Sequence, residues 1–217
     1  MPSLVPSTFP SAAPSSQGFV DVMNAVSNIT SMELFMDQSS PQYKAAKYMA
    51  DEDPNGIRPI NDTRFLQRYA LVTFFFSTNG ELWKRCNPGN LCPGTFSTWL
   101  SDTDECDWMG TLCNSDNFLT QINIGTGETS SSGLTGSLPE EMGYLTTLTS
   151  LLLVNNDLDP VYSSGIEGTI PATFARLTNM RFIIMWANSL TSPIPDEWLS
   201  ENKLIGTIWL HNNKFDG

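Results

Sequence analysis

Between residues 148 and 158 aliphatic side chains fall at Leu148, Leu151, Leu153 and Leu158, with Asn156 before the last of them. This spacing is neither the 3.6-residue period of a helix nor a sustained alternation. The same skeleton returns at Met180, Ile183, Met185, Asn188 and Leu190, and again at Ile205, Ile208, Leu210, Asn213 and Phe215. Ahead of two of the runs stands a second element, "LTGSLP" at 134–139 and "IEGTIP" at 166–171; "TSPIP" at 191–195 takes its place in the third. Ile170 and Ile194 are 24 residues apart, whereas Leu138 and Ile170 are 32 apart because "DPVYSSG" is inserted. A weaker first copy, "FLTQINI" at 118–124, supplies Leu119, Ile122 and Ile124. Repetition at this period predicts a stack of similar coils, each covering its neighbour's apolar face.

The period dictates the interior. Alternation within a short strand turns Leu151 and Leu153 inward and Leu152 outward. Asn156, Asn188 and Asn213 are expected to turn in at the strand ends, where an amide satisfies backbone groups that bending leaves unpaired. Pro139, Pro171 and Pro195 are expected in the first turn of short helical segments on the opposite, convex side. Acidic pairs follow two of them, Glu140-Glu141 and Asp196-Glu197, as the positive end of a helix favours. Because the pairs recur with the repeat, they are read as helix starts and not as the two carboxylates of a glycosidase.

Upstream the pattern changes. Phe65, Leu66, Tyr69, Val72, Thr73 and Phe76 run at helical spacing, with Asp62 or Thr63 as N-cap. Helices are predicted over Pro41–Ala50 and Arg64–Phe76. The start of the chain is rich in Pro and Ser; Phe19, Val22, Met23 and Val26 leave room for a short helix. Three parts are therefore expected: a largely disordered leader over 1–38, a helical cap over 39–117, and about four coils over 118–217. The last coil stops in mid-pattern, so the chain is expected to be a fragment of a longer one.

The repeat resembles the leucine-rich repeat, and its L-x-G-x-[LI]-P element resembles the plant-type subclass. Upstream, Trp99 followed by Cys106, Trp108, Gly110 and Cys113 resembles the N-terminal cap of plant-type leucine-rich repeat ectodomains. The lead-in "ALVTFFFSTNGELW" is similar to versions from algae and other protists. The resemblance implies an α/β solenoid, with short parallel strands on its concave face behind a helical, disulfide-containing cap. It also implies pairing of Cys106 with Cys113 and of Cys86 with Cys92, although four cysteines allow three connectivities. Each pairing closes a short loop, worth roughly 2–3 kcal/mol on the chain-entropy model. Zinc is the competing reading of these cysteines. Neither C-x5-C nor C-x6-C is typical zinc spacing, and the only histidine, His211, lies far along the chain.

Composition narrows the function. The formal net charge is −12, from 23 acids against 11 Lys and Arg. That balance repels phosphate backbones and anionic lipid, so nucleic acid and membrane docking are poor expectations for this segment. No apolar run approaches the roughly 18 residues of a membrane span. No catalytic constellation or cofactor motif is present, and the chain is read as non-enzymatic. Paired cysteines imply an extracellular or cell-surface setting. The sequons at Asn28 and Asn61 agree with it as glycosylation positions. The outward strand positions Leu152, Val154, Phe182, Ile184, Trp186, Trp209 and His211 are nearly free of charge, and exposed apolar surface with aromatics marks contact sites. A protein or peptide ligand is expected there, as for a receptor ectodomain or a secreted inhibitor. The alternative is a structural wall or matrix protein that uses its repeats as a spacer. One further motif, "DEDPNGIRPIND" at 51–62, resembles a calcium loop with Asp51, Asp53, Asn55 and Asp62 as ligands. Arg58, two prolines and a closing Asp in place of Glu depart from that pattern, which favours a polar connector.

Overall fold

The structure is a computed structural model and describes residues 16–56, 63–89, 92, 94–125, 132–155 and 165–216. Its N-terminal half is helical: α1 (Gln17–Val26), α2 (Met32–Met36), α3 (Pro41–Lys47), a π-helical turn over Tyr48–Glu52, and α4 (Thr63–Ser77). The Ser16, Ser31 and Ser40 side chains accept backbone N–H groups at the starts of α1, α2 and α3, satisfying donors that an α-helix leaves free. Residues 16–38, read from the sequence as a leader, are packed into the core through Phe19, Val22, Val26, Ile29 and Phe35. The spacing of Phe19, Val22 and Val26 gives α1 an apolar stripe, and burying it outweighs the entropy lost on ordering.

Among the described residues seven short strands follow: β1 (Thr111–Cys113), β2 (Leu119–Ile124), β3 (Ser150–Leu153), β4 (Glu167–Thr169), β5 (Phe182–Ile184), β6 (Ser189–Thr191) and β7 (Thr207–Trp209). The main sheet runs β1-β2-β3-β5-β7. It is mixed: β1 pairs antiparallel with β2, and the rest pair in parallel. Register is what the repeat demands, with Ile122 beside Leu151, Leu151 beside Ile183, and Ile183 beside Ile208. The first three of these are fully buried, whereas Ile208 on the last strand is 41% exposed.

Opposite the strands lie 3-10 turns over Glu140–Tyr144 and Ala172–Arg176 and the helix α5 (Asp196–Glu201). Pro139, Pro171 and Pro195 each take the capping position just before these segments, one residue earlier than expected. A ring that fixes φ and lacks an N–H suits that boundary as well as the first turn. The strands β4 and β6 form a second parallel ladder, extended by bridges from Ser137 to Glu167 and from Thr191 to Lys214. The x-G-x-I-P element thus builds its own edge of the stack. Gly136 within it has φ +74°, and a Cβ there would lie 2.1 Å from the Ser77 carbonyl oxygen at the end of α4. Only glycine allows that approach.

The asparagines do what the pattern requires. The Asn188 amide donates to the Leu153 carbonyl of the preceding coil at 2.8 Å, and its oxygen accepts the Ile166 N–H at 2.9 Å. Asn213 repeats this one coil on, donating to the Met185 carbonyl at 2.8 Å and accepting the Leu190 N–H at 3.0 Å. Asn156 lies outside the described residues.

The helical half and the strand half share one apolar cluster from Phe19 to Trp198. Within it Phe75, Trp83, Trp99 and Trp108 succeed one another with ring centroids 5.0–5.2 Å apart. Cys86 pairs with Cys92 and Cys106 with Cys113, the connectivity that the resemblance implied. A polar latch adds to the apolar contact. Glu141, from the coil side, accepts hydrogen bonds from the Thr30 hydroxyl at 2.6 Å and the Gln42 amide at 3.1 Å. Burial holds its carboxyl above the ordinary carboxylate range, although both donors favour the charged form.

Two outcomes are expected. Leu151→Ala costs about 3 kcal/mol in urea unfolding, while Leu152→Ala next to it costs about 1 kcal/mol or less; equal losses would contradict the inward and outward assignment. A raised pKa means that the folded chain holds the Glu141 proton more tightly, so its stabilising effect is complete below about pH 4.5 and fades as pH rises through the raised value. Between pH 4 and pH 7 the parent should therefore lose stability relative to Glu141→Gln.

Candidate functional site

The parallel register of β3, β5 and β7 sets the outward side chains in columns. Ser150, Phe182 and Thr207 form one column, and Leu152, Ile184 and Trp209 the next. Phe182 is 46% and Trp209 52% exposed, while Leu152 and Ile184 are half-buried. Two residues past the strand ends, the Trp186 and His211 rings stack with centroids 5.5 Å apart and planes 7° apart. The backbone explains the match. Met185 N–H donates to the Trp209 carbonyl at 2.9 Å and Ala187 N–H to the His211 carbonyl at 3.2 Å, continuing the ladder past β7. Ala187 and Asn212 then both turn with φ near +57°, at 58° and 56°. Equivalent turns in neighbouring coils carry the two rings to equivalent heights.

Six of the seven residues expected on this face are therefore brought together. Val154 is the exception: it is fully buried. It follows β3 at a point where its carbonyl accepts the Ser132 hydroxyl at 3.0 Å and the Gly125 backbone packs closely against it. Alternation places Val154 outward, but the strand has ended, and Gly125 and Ser132 pack against this point of the chain. No charged side chain occupies either column, so this surface offers ring faces and aliphatic groups.

The residues of the calcium-like loop have other partners. Both Asp53 carboxylate oxygens accept from Arg68, each at 2.6 Å, and Arg68 also reaches Glu105 at 3.1 Å. All three side chains are buried, with the guanidinium 4.8 Å from the Trp108 ring centre. The paired acids raise the Arg68 pKa against the opposing effect of burial. Asp51 accepts from Ser16 and Lys47, which lowers its pKa, and the Asn55 amide donates to the Thr103 carbonyl. Asp62 lies outside the described residues, as does the sequon Asn61. Asn28 is exposed in a turn after α1. The ionic cluster of Arg68, Asp53 and Glu105 was not expected from sequence, because its members are 15 and 37 residues apart and fit no local motif. Only the unusual sight of an arginine inside the apolar run of α4 hints at it.

No family model matches the chain. A stretch of 98 residues, 40% of this chain, is 31% identical to phytosulfokine receptor 1 of Arabidopsis thaliana and covers 9% of that protein. Among solved structures, a plant ice-binding protein matches 73% of this chain and 42% of its own, with a TM-score of 0.50 and 21% identity. That likeness concerns the fold. The leucine-rich repeat ectodomain of the receptor kinase SOBIR1 from Arabidopsis thaliana matches 67% of this chain and 66% of its own, with a TM-score of 0.46 and 15% identity. The chain thus spans less than half the length of the first two relatives.

With Asp53 held by a buried arginine, millimolar calcium should leave the thermal midpoint of the intact chain unchanged. A rise that saturates with calcium would mean that the ion displaces Arg68.

Proposed function

We propose that this chain is a non-catalytic recognition module, a leucine-rich repeat solenoid whose strand face is concave and takes a protein or peptide ligand. The observation that carries the reading is the charge-free surface of Leu152, Phe182, Ile184, Trp209 and the stacked Trp186–His211 pair. Nearly half of the Phe182 surface and more than half of that of Trp209 face solvent. Exposed apolar surface of this kind costs solubility unless something covers it, and aromatic anchors dominate binding energy at interfaces. A spacer has no use for such a face.

The 31% identity to a stretch of phytosulfokine receptor 1 supports a receptor-like role. The two disulfides support an extracellular or cell-surface setting, in which the exposed Asn28 is open to glycosylation. The membrane attachment of such a receptor would lie outside these residues. The division into leader, cap and coils over 1–38, 39–117 and 118–217 belongs to this reading, and the burial of Phe19, Val22, Val26, Ile29 and Phe35 supports extending the cap to include residues 16–38.

Selection of peptides from a random display library on the native chain, against a Trp186→Ser/Trp209→Ser counter-target, tests the site. Ligands that saturate the parent should lose about 30-fold in affinity for either single variant, equivalent to about 2 kcal/mol. The variants should retain the parent's thermal midpoint within a few degrees. Peptides that bind parent and double variant alike would place recognition elsewhere.

A further inference from the structure

We propose a second binding site, in the cap, for a small, neutral, ring-bearing molecule. A cavity of about 830 Å³ opens between the π-helical turn, the end of α4 and the segment that follows it. That volume lies within the roughly 300–1,000 Å³ of small-molecule sites. Its apolar walls are Tyr48, Phe75, Phe76 and Leu100. Phe76 meets Tyr48 and Phe75 edge-on, at centroid distances of 6.4 and 5.5 Å.

Two backbone features coincide with this cavity. The turn over Tyr48–Glu52 is π-helical, a rare geometry that concentrates at functional sites. Leu100 adopts φ +63°, a left-handed conformation that costs a branched residue energy. It is held there in part by the Tyr48 hydroxyl, which donates to the Leu100 carbonyl at 2.7 Å. Burial pushes the Tyr48 pKa up to about 12, so this donor keeps its proton at neutral pH. Both unusual segments line the same hollow, and neither is required by the coils.

The rim decides the ligand class. Lys44 and Lys47 face Glu52 and Glu81, two cations against two anions, and Lys47 is already paired with Asp51 at 3.0 Å. A ligand gains no net attraction from a full charge there, and the chain's −12 disfavours anions at a distance. Ring walls reward a planar apolar body, which can pack offset or edge-on against the partly exposed ring of Phe76, with Phe75 behind it.

Indole, neutral and planar, is the probe. Titrated into the ¹⁵N-labelled native chain, it should give saturable amide shifts at Tyr48, Phe75, Phe76, Gly89 and Leu100. Indole-3-acetate, its anionic relative, should bind at least tenfold more weakly. Phe76→Ser should weaken indole tenfold, and Trp209→Ser should leave its affinity unchanged, which separates this site from the strand face. Shifts centred on Trp186 and Trp209, no saturation, or equal binding of the anion would each overturn the proposal. The mapping on the parent chain stands even where Phe76→Ser fails to fold.

Discussion

Everything in the coil half depends on one-to-one stacking of aliphatic side chains across a parallel ladder. Ile122, Leu151 and Ile183 sit in a single line because each strand pairs with the next in unshifted register. A slip of one residue would send that line to solvent and bring Leu152 and Ile184 inside. The asparagine bonds remove this ambiguity. Asn188 and Asn213 each bind a carbonyl of the preceding coil and an N–H at the start of its second ladder, which no slipped arrangement satisfies. Aliphatic packing supplies most of the driving force, and the amides supply the address.

Much of this was legible in the residues. The spacing of Leu151 and Leu153, repeated at Ile183 and Met185, predicts both the strands and their order. The second ladder was not foreseen, since "EGT" and "SLT" carry no alternation of apolar residues and are joined only through their neighbours. In the cap, helical periodicity identified one face of α4, yet Ala70, Leu71, Phe74 and Phe75 are buried as well. A helix that is apolar all round is enclosed on all sides, and period alone cannot say so. The side chains expected to point outward do so at Phe182 and Trp209, where the strands persist, whereas Val154, just past the end of β3, is buried. Alternation is a property of extended backbone and lapses where the chain turns.

Buried charge plays two distinct parts. Arg68 is matched by two carboxylates and a tryptophan face, so its desolvation is offset within a closed set, and removing any member would strand the others. Glu141 has only neutral donors, and the penalty for its charge remains. The first arrangement holds the cap to itself, joining α4 to the loop before β1. The second joins the cap to the coils and makes that junction responsive to acidity.

The contact between Gly136 and the end of α4 bears on how such proteins can be recombined. Exchange of later coils between relatives asks only that aliphatic and asparagine positions agree. The first full coil is different, because its turn is shaped to the carbonyl of Ser77 and its acid to Thr30 and Gln42. It travels with its cap or not at all, and variation in repeat number is therefore free to arise only on the far side of that coil.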